Sequence, residues 1–332
     1  MRRRPVHRAG RRGIALAVLL AVSGYVVVHQ LNGARGGALC TVVSGNGDGA
    51  AYRFSSEQAV NAATVAAVGT ARGMPERAVT IALATALQES GLRNIDHGDR
   101  DSIGLFQQRP SQGWGTAEQI GDPVYSSAEF YEHLEQVTGY SRLPLTVAAQ
   151  RVQRSGYPQA YAKHEPDATL LAAALTGRSE ATLTCEDGGV RAAGSAAGVR
   201  AALVRDFGQE VLTPAGAEVS RTPDGEDGED GEDGEDGGTA PAAPAPAPAP
   251  GGREVLLPVP RGPGGEPGDR QRGWELAHWA VANSAALGIE EVTYAGLRWT
   301  PGTAPGQWPV TRGPSGSGVD TAAERVRIVT GQ

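Results

Sequence analysis

Between Asp224 and Gly252 the chain reads DGEDGEDGEDGEDGG and then TAPAAPAPAPAPGG. Neither half can contribute to a core. The acidic half repels itself and stays solvated, while alternating Pro and Ala favour extended polyproline II over helix or strand. Whatever folds must therefore do so before or after this tract. A chain of 332 residues has room for about two domains, and the tract predicts where they part. It also carries the charge. Nine of the 37 acidic residues lie between Asp224 and Asp236, enough to account for the formal net charge of −7. The remainder is nearly neutral and offers no basic surface for nucleic acid. The repeat lacks the mixed ligands and terminal Glu of an EF-hand loop, so a disordered linker is expected here rather than a calcium site.

The N-terminus predicts the compartment. Six arginines within residues 1–12 precede the uncharged run GIALAVLLAVSGYVVV, from Gly13 to Val28. A basic region followed by an apolar one reads as a signal-anchor or a signal peptide. No clean A-x-A cleavage site follows, which favours an anchor, a transmembrane helix over residues 13–31 with residues 1–12 as a cytoplasmic tip. Either reading puts the rest of the chain outside the cytoplasm, on the cell membrane as a single-pass protein or, alternatively, secreted. The only two cysteines, Cys40 and Cys185, bracket one apparent domain, and in that compartment they are expected to pair as a disulfide. No histidines stand at a spacing that would make the two cysteines a zinc site.

From Ser55 to about Ala181 the pattern is helical. Ser55 with Gln58 makes a capping box, Pro75 sits where a first-turn proline belongs, and Ser126 with Glu129 reads as another cap. A mainly α domain of five or six helices is expected over residues 40–186. Residues 187–252 read as a stalk and low-complexity linker, with AAGVRAALVRDFG as one more helix or a helical stalk. From Arg253 the pattern changes. REVLLPVP reads as a strand, GWELAHWAVANSAALG as a helix, EEVTYAGLRW as a hairpin and ERVRIVT as a last strand, a small α/β domain over residues 253–332.

The densest chemistry lies in ALQESGLRNIDHGDRDSIGLFQQRPSQGWG, Ala86 to Gly115. Ala82, Ala86 and Glu89 share one helix face. Small alanines leave room for a large ligand, and Leu83 and Leu87 desolvate the acid, raising its pKa. A carboxylic acid that stays neutral at working pH is what protonating a glycosidic oxygen requires. The plainer alternative is a surface carboxylate, placed unfavourably at a helix C-terminus. In the loop, Asp96, His97, Asp99 and Asp101 read mainly as a polar Asx-turn segment, with Asp99 or Asp101 as the alternative second carboxylate. Trp114, flanked by Gly113 and Gly115, is either a sugar-stacking ring or a core plug.

Glu89-Ser90, then Gly104-Leu105-Phe106-Gln107 fifteen residues after the Glu, then Pro110, resembles the soluble lytic transglycosylase and goose-type lysozyme superfamily, in an actinobacterial branch. The resemblance implies a lysozyme-like domain with a groove for peptidoglycan glycan strands. Glu89 would act as acid and then base, protonating the bond between N-acetylmuramic acid and N-acetylglucosamine. It would then deprotonate either the C6 hydroxyl, giving a 1,6-anhydro product, or water. The substrate's acetamido group can stand in for a second carboxylate, a departure from the two-carboxylate scheme. Gln107 maps onto the substrate-contacting Gln, and Ser90, Phe106, Trp114 and Tyr157 are expected around the same groove. No cofactor or metal is implied.

The departures from the pattern are equally specific. Gly98 stands where the superfamily has a Ser that hydrogen-bonds the Glu, with Ser102 nearby as a substitute. Phe106 replaces the common Met. The Ala-Tyr-Asn-Ala-Gly signature is absent. In its place is AAQRVQRSGYPQAY, where Tyr157 or Tyr161 would take the aromatic role. The C-terminal stretch resembles a domain related to zinc D-Ala-D-Ala peptidases, but Glu324-Arg325-Val326-Arg327 stands where Asp-His-Val-His is expected. An arginine cannot replace a histidine ligand, so this module is expected to be non-catalytic, with His278 on a helix face. Two functions follow: glycan-strand cleavage in wall remodelling, or a non-catalytic wall-binding or assembly scaffold working with other cell-wall assembly proteins.

Overall fold

The computed structural model describes residues 39–155, 159–186, 188–189, 192–213, 252–259, 267–311 and 325–331. The N-terminal apolar run, Tyr157, the acidic and Pro/Ala tract and Glu324 lie outside the described residues. Among the described residues no helix is long and apolar enough to cross a membrane.

The structure is mainly helical with two small antiparallel sheets. Strands β1 (Leu39–Val43) and β2 (Ala51–Ser55) open the chain, and β3 (Leu183–Cys185) returns beside β1 to give the order β2-β1-β3. These strands were not expected from the sequence. They are too short to show a period, yet they bring the two ends of the helical region together. Cys40 lies directly opposite Cys185 in the register and the disulfide is formed. The bridge closes a loop of 145 residues, so removing it should free a large unfolded ensemble. Replacing both cysteines by Ala is expected to lower stability by about 4–5 kcal/mol, read as a fall in Tm. An unchanged Tm would show that the bridge contributes nothing.

Helices α1 (Ser56–Ala71) and α2 (Glu76–Glu89) form the centre. The capping box on α1 is complete, with Ser55 Oγ accepting from Gln58 N (3.2 Å) and Gln58 Oε1 from Ser55 N (2.8 Å). The same Gln58 reaches Gly91 O with Nε2 (2.8 Å), tying the start of α1 to the end of α2. Pro75 is the N-cap of α2 rather than its first residue. Every residue from Ala78 to Leu87 is buried. The alanines at Ala78, Ala82, Ala84 and Ala86 make this possible, because a helix that is apolar or small all round is enclosed by its neighbours.

Around α2 lie α3 (Ala117–Ile120), α4 (Pro123–Glu135), α5 (Leu145–Gln153) and α6 (Glu165–Leu175). Helix α4 starts three residues before the expected cap at Ser126. Asp122 caps it through Val124 N (2.8 Å), and Pro123 supplies a helical φ at the first position. Ser126 and Ser127 instead bond Pro123 O inside the first turn.

The expected stalk segment contains α7 (Ala196–Phe207), which is docked rather than free-standing: Val199, Ala202, Leu203 and Phe207 are buried. The four C-terminal elements form where the sequence places them. They are β4 (Glu254–Pro258), α8 (Pro267–Ala282) with the short α9 (Ser284–Leu287), the hairpin β5 (Ile289–Tyr294) and β6 (Leu297–Trp299), and β7 (Arg325–Thr330). The sheet order is β4-β7-β5-β6, all antiparallel.

What the sequence did not reveal is that this module shares a core with the helical body. The buried apolar residues form one continuous cluster from Cys40 to Ile328. Polar contacts cross the same boundary. Asp206 accepts from Trp279 Nε1 (2.8 Å), Thr64 Oγ1 (3.3 Å) and Arg205 Nε (2.7 Å). Trp308 Nε1 donates to Leu183 O (3.1 Å), and Gln271 Nε2 to Thr176 O (2.9 Å).

Candidate functional site

Glu89 ends α2 and is half-buried. Tyr161 donates its hydroxyl to Glu89 Oε1 at 2.6 Å, and the Gln153 side chain also acts on the carboxyl, lowering its pKa. Burial raises the Glu89 pKa above the ordinary carboxylate value, while the Tyr161 and Gln153 hydrogen bonds pull it back in part. The Tyr161 phenol is itself pushed up, first by burial and then by its bond to Glu89, so it stays protonated as a donor. Tyr161, one of the two tyrosines considered, reaches Glu89 with its hydroxyl; Tyr157 lies outside the described residues. Gln153 was missed because a lone Gln near a helix end carries no motif.

The spacing between Glu89 and the Gly-Leu-Phe-Gln turn now has a physical cause. Ser90 Oγ donates to Leu105 O (2.8 Å), and Gln153 Nε2 donates to Phe106 O (2.7 Å). Ser90, next to Glu89, and Gln153 thus both hold the turn. Gly104 has φ +78°, and a Cβ there would lie 2.7 Å from Ile120 O, so only glycine fits. Gln107 follows with φ +49°. Leu105 and Phe106 are fully buried, and Phe106 stacks on Phe130 with ring centroids 4.7 Å apart. Phe106 is therefore a core residue and not a ligand-facing wall, because its apolar ring gains more from the interior than from the rim. Ser90 has its hydroxyl committed to the backbone of α2 and of the turn.

Gly98 is explained by its neighbour. A Cβ on Gly98 would lie 1.9 Å from Gln107 Oε1 and 2.7 Å from Ser102 O. The Gln107 side chain fills the space where a serine would stand, bonding His97 O (3.4 Å) and Gly104 O (3.3 Å). Ser102 is buried beside it but makes no hydrogen bond to Glu89 among the described residues. The supporting hydroxyl on Glu89 comes instead from Tyr161, 72 positions after it.

Asp101 is held by Ser111 N (2.8 Å) and Arg109 Nε (2.8 Å). Its pKa is lowered strongly, chiefly by hydrogen bonds from Ser111 and then by Arg109. It is a loop staple rather than a second acid. Asp96 bonds His97 (2.9 Å) at an exposed tip. Among the described residues no three His, Cys, Asp or Glu side chains are grouped so as to hold a metal.

Trp114 is 9 % exposed and stacks on His133, centroids 4.1 Å apart. Both line a groove of about 570 Å3 that also includes Gln112, Arg151, Gln153 and Arg154. Gln153, which also acts on the Glu89 carboxyl, is the residue the groove and the acid's surroundings share. Trp114 is thus mostly packed, with only its margin turned to the groove.

In the C-terminal module, Arg327 lies on β7 and pairs with Glu254 (Nε, 2.8 Å) and Glu291 (Nη1, 2.5 Å). His278 is fully buried at the module boundary, with Nδ1 against Ala174 O (2.8 Å). Burial lowers its pKa to about 4, so it is neutral at physiological pH. It lies on helix α8 as expected, on a face that is fully buried. Comparison with protein-family models and with curated proteins returns no match to this chain.

Proposed function

We propose that this chain cleaves the glycan strands of peptidoglycan, with Glu89 as general acid and then base, on a lysozyme-like helical body outside the cytoplasm. The observation that carries the reading is the environment of Glu89. Its carboxyl has a pKa raised by burial and takes a hydrogen bond from Tyr161, while Gln153, which also acts on it, lines a nearby groove. A raised pKa keeps a larger fraction protonated near neutral pH, which a proton donor to a glycosidic oxygen needs. After bond cleavage the ionised carboxylate is stabilised by the Tyr161 hydroxyl and is ready to take a proton from the C6 hydroxyl or from water. Asp101 is tied up in the loop, so the reading rests on one carboxyl, with the substrate's acetamido group assisting. The basic and apolar N-terminus and the disulfide support placement at the outer face of the membrane or beyond it.

The test is product analysis. Purified full-length protein is incubated with isolated peptidoglycan and the soluble products are analysed by mass spectrometry. Anhydro-muropeptides indicate transglycosylation and new reducing ends indicate hydrolysis. Neither product under any condition would leave the wall-binding scaffold as the better reading.

Tyr161→Phe adds a finer prediction. The hydroxyl donates to the ionised form of Glu89, so losing it raises the Glu89 pKa further. The descending, alkaline limb of the activity profile is therefore expected to move to higher pH, while the maximal rate falls about tenfold from lost positioning. A limb that stays put or moves toward acid would show that Tyr161 does not tune Glu89.

A further inference from the structure

The short 3-10 helix Ala160–His164 carries Tyr161 and leads straight into α6. In a 3-10 helix the side chains at i and i+3 lie one above the other, so Tyr161 and His164 share a face. The two meet consecutive residues at the end of α2. Tyr161 donates to Glu89 Oε1, and His164 Nε2 bonds Gln88 Oε1 at 3.2 Å. Gln88 presents an oxygen there, so the ring nitrogen is the donor. His164 does little for its own helix. It is the N-cap of α6, a position that favours Ser, Thr, Asp or Asn, yet its side chain makes no capping bond. A residue that departs from a local rule is explained by what it does elsewhere, and here that is Gln88. The next residue, Glu165, accepts from Arg77 Nη1 at 2.8 Å, near the start of α2, but that pair is largely open to solvent and holds weakly. The His164–Gln88 bond is partly buried. Burial and then Lys163 lower the His164 pKa, against the pull of Asp167. A neutral ring makes the bond without setting a positive charge near Glu89, where it would favour the ionised acid.

We propose that His164 is a positioning residue for the acid: through Gln88 it fixes the 3-10 helix against the end of α2 and so keeps the Tyr161 hydroxyl on Glu89. The inference rests on the reading of Glu89 as the proton donor and deepens it, because it names what holds the acid's own partner in place. A drift of about 1 Å would take the Tyr161–Glu89 contact out of hydrogen-bonding range. The Tyr161 bond favours the ionised form of Glu89, so loosening it raises the Glu89 pKa even though His164 never touches the carboxyl.

The experiment titrates Glu89 directly. Full-length protein is labelled with 13C at the glutamate carboxyls, the Glu89 signal is assigned by its loss in Glu89→Gln, and its midpoint is followed by NMR. His164→Phe keeps the ring and removes the donor; its melting curve checks that it folds. Its Glu89 midpoint is expected to move to higher pH, in the direction expected of Tyr161→Phe. In the double variant Tyr161→Phe/His164→Phe the midpoint is expected to match that of Tyr161→Phe alone, because residues acting through one contact are not additive. His164→Gln, which returns an N–H close to the position of Nε2, is expected to restore the parent midpoint. An unmoved midpoint in His164→Phe overturns the inference, since the packing of Tyr161 alone would then hold its hydroxyl. So does a shift of undiminished size in the Tyr161→Phe background, which would mark a direct effect of the new ring on Glu89. A shift in His164→Gln as large as in His164→Phe overturns it as well. The titration needs no turnover. Absence of cleavage sinks the enzymatic reading and leaves the Tyr161–His164 coupling measurable, whereas cleavage with an unmoved midpoint sinks His164 alone.

Discussion

Glu89→Gln is expected to lower release of soluble muropeptides by about 10^2- to 10^4-fold, the usual contribution of a positioned general acid. Gln is close in shape to Glu, and its carbonyl oxygen can still accept from Tyr161, so the local packing should persist. What disappears is the transferable proton. Stability should move the other way. Burial raises the folded-state pKa of Glu89 above its unfolded value, so between the two values the folded chain holds a proton that the unfolded chain has lost. By linkage, stability falls as pH rises through that window, and above it the ionised Glu89 opposes folding. The variant lacks that penalty and is expected to melt at or above the parent temperature near neutral pH. The difference should vanish below the ordinary carboxylate range. Loss of activity with a gain in Tm is the signature of a residue placed for chemistry rather than for packing. Full activity in Glu89→Gln would remove Glu89 from the mechanism.

The second large effect is expected at Trp279. This indole is 1 % exposed on α8 and donates to the buried Asp206 of α7, which also takes a bond from Thr64 of α1. Trp279→Ala removes a large core side chain, costing about 3–5 kcal/mol from lost burial and the residual cavity. It also takes one donor from a buried carboxylate, an additional penalty. Because α1, α7 and α8 meet at this point, the helical body and the C-terminal module should lose stability together in one cooperative transition. Chemical denaturation followed by tryptophan fluorescence and by far-UV circular dichroism decides this. Two separated transitions, with only the later part of the chain affected, would mean that the two regions do not depend on each other.

This coupling bears on the C-terminal module. Its candidate zinc-strand position holds Arg327, engaged with Glu254 and Glu291, and His278 is sealed against Ala174 O. The module is built into the support of the helical body. Gly302 N bonds Cys185 O (3.2 Å), beside the disulfide, so it also braces the small sheet that joins the two ends of the helical region.

Much of this was legible from the residues alone. The capping box of Ser55 and Gln58, the four C-terminal elements, the pairing of Cys40 with Cys185 and the desolvated Glu89 all follow from local chemistry. Period, cap and compartment each act over a few residues or over the whole chain. Tertiary structure decided the rest, because it turns on groups distant in sequence meeting in space. It placed the Tyr161 hydroxyl, 72 positions after Glu89, on its carboxyl, and let Gln153, 64 positions after, lower the pKa of the same group. It moved Phe106 from a ligand wall into the core, and put the Gln107 amide where a side chain on Gly98 would have stood. It brought Asp206 under Trp279. An apolar ring, an amide or a carboxylate has no address in the sequence until packing chooses its partners. The composition and spacing of this chain determined that an acid would sit at the end of α2; only the packed structure decided what holds it there.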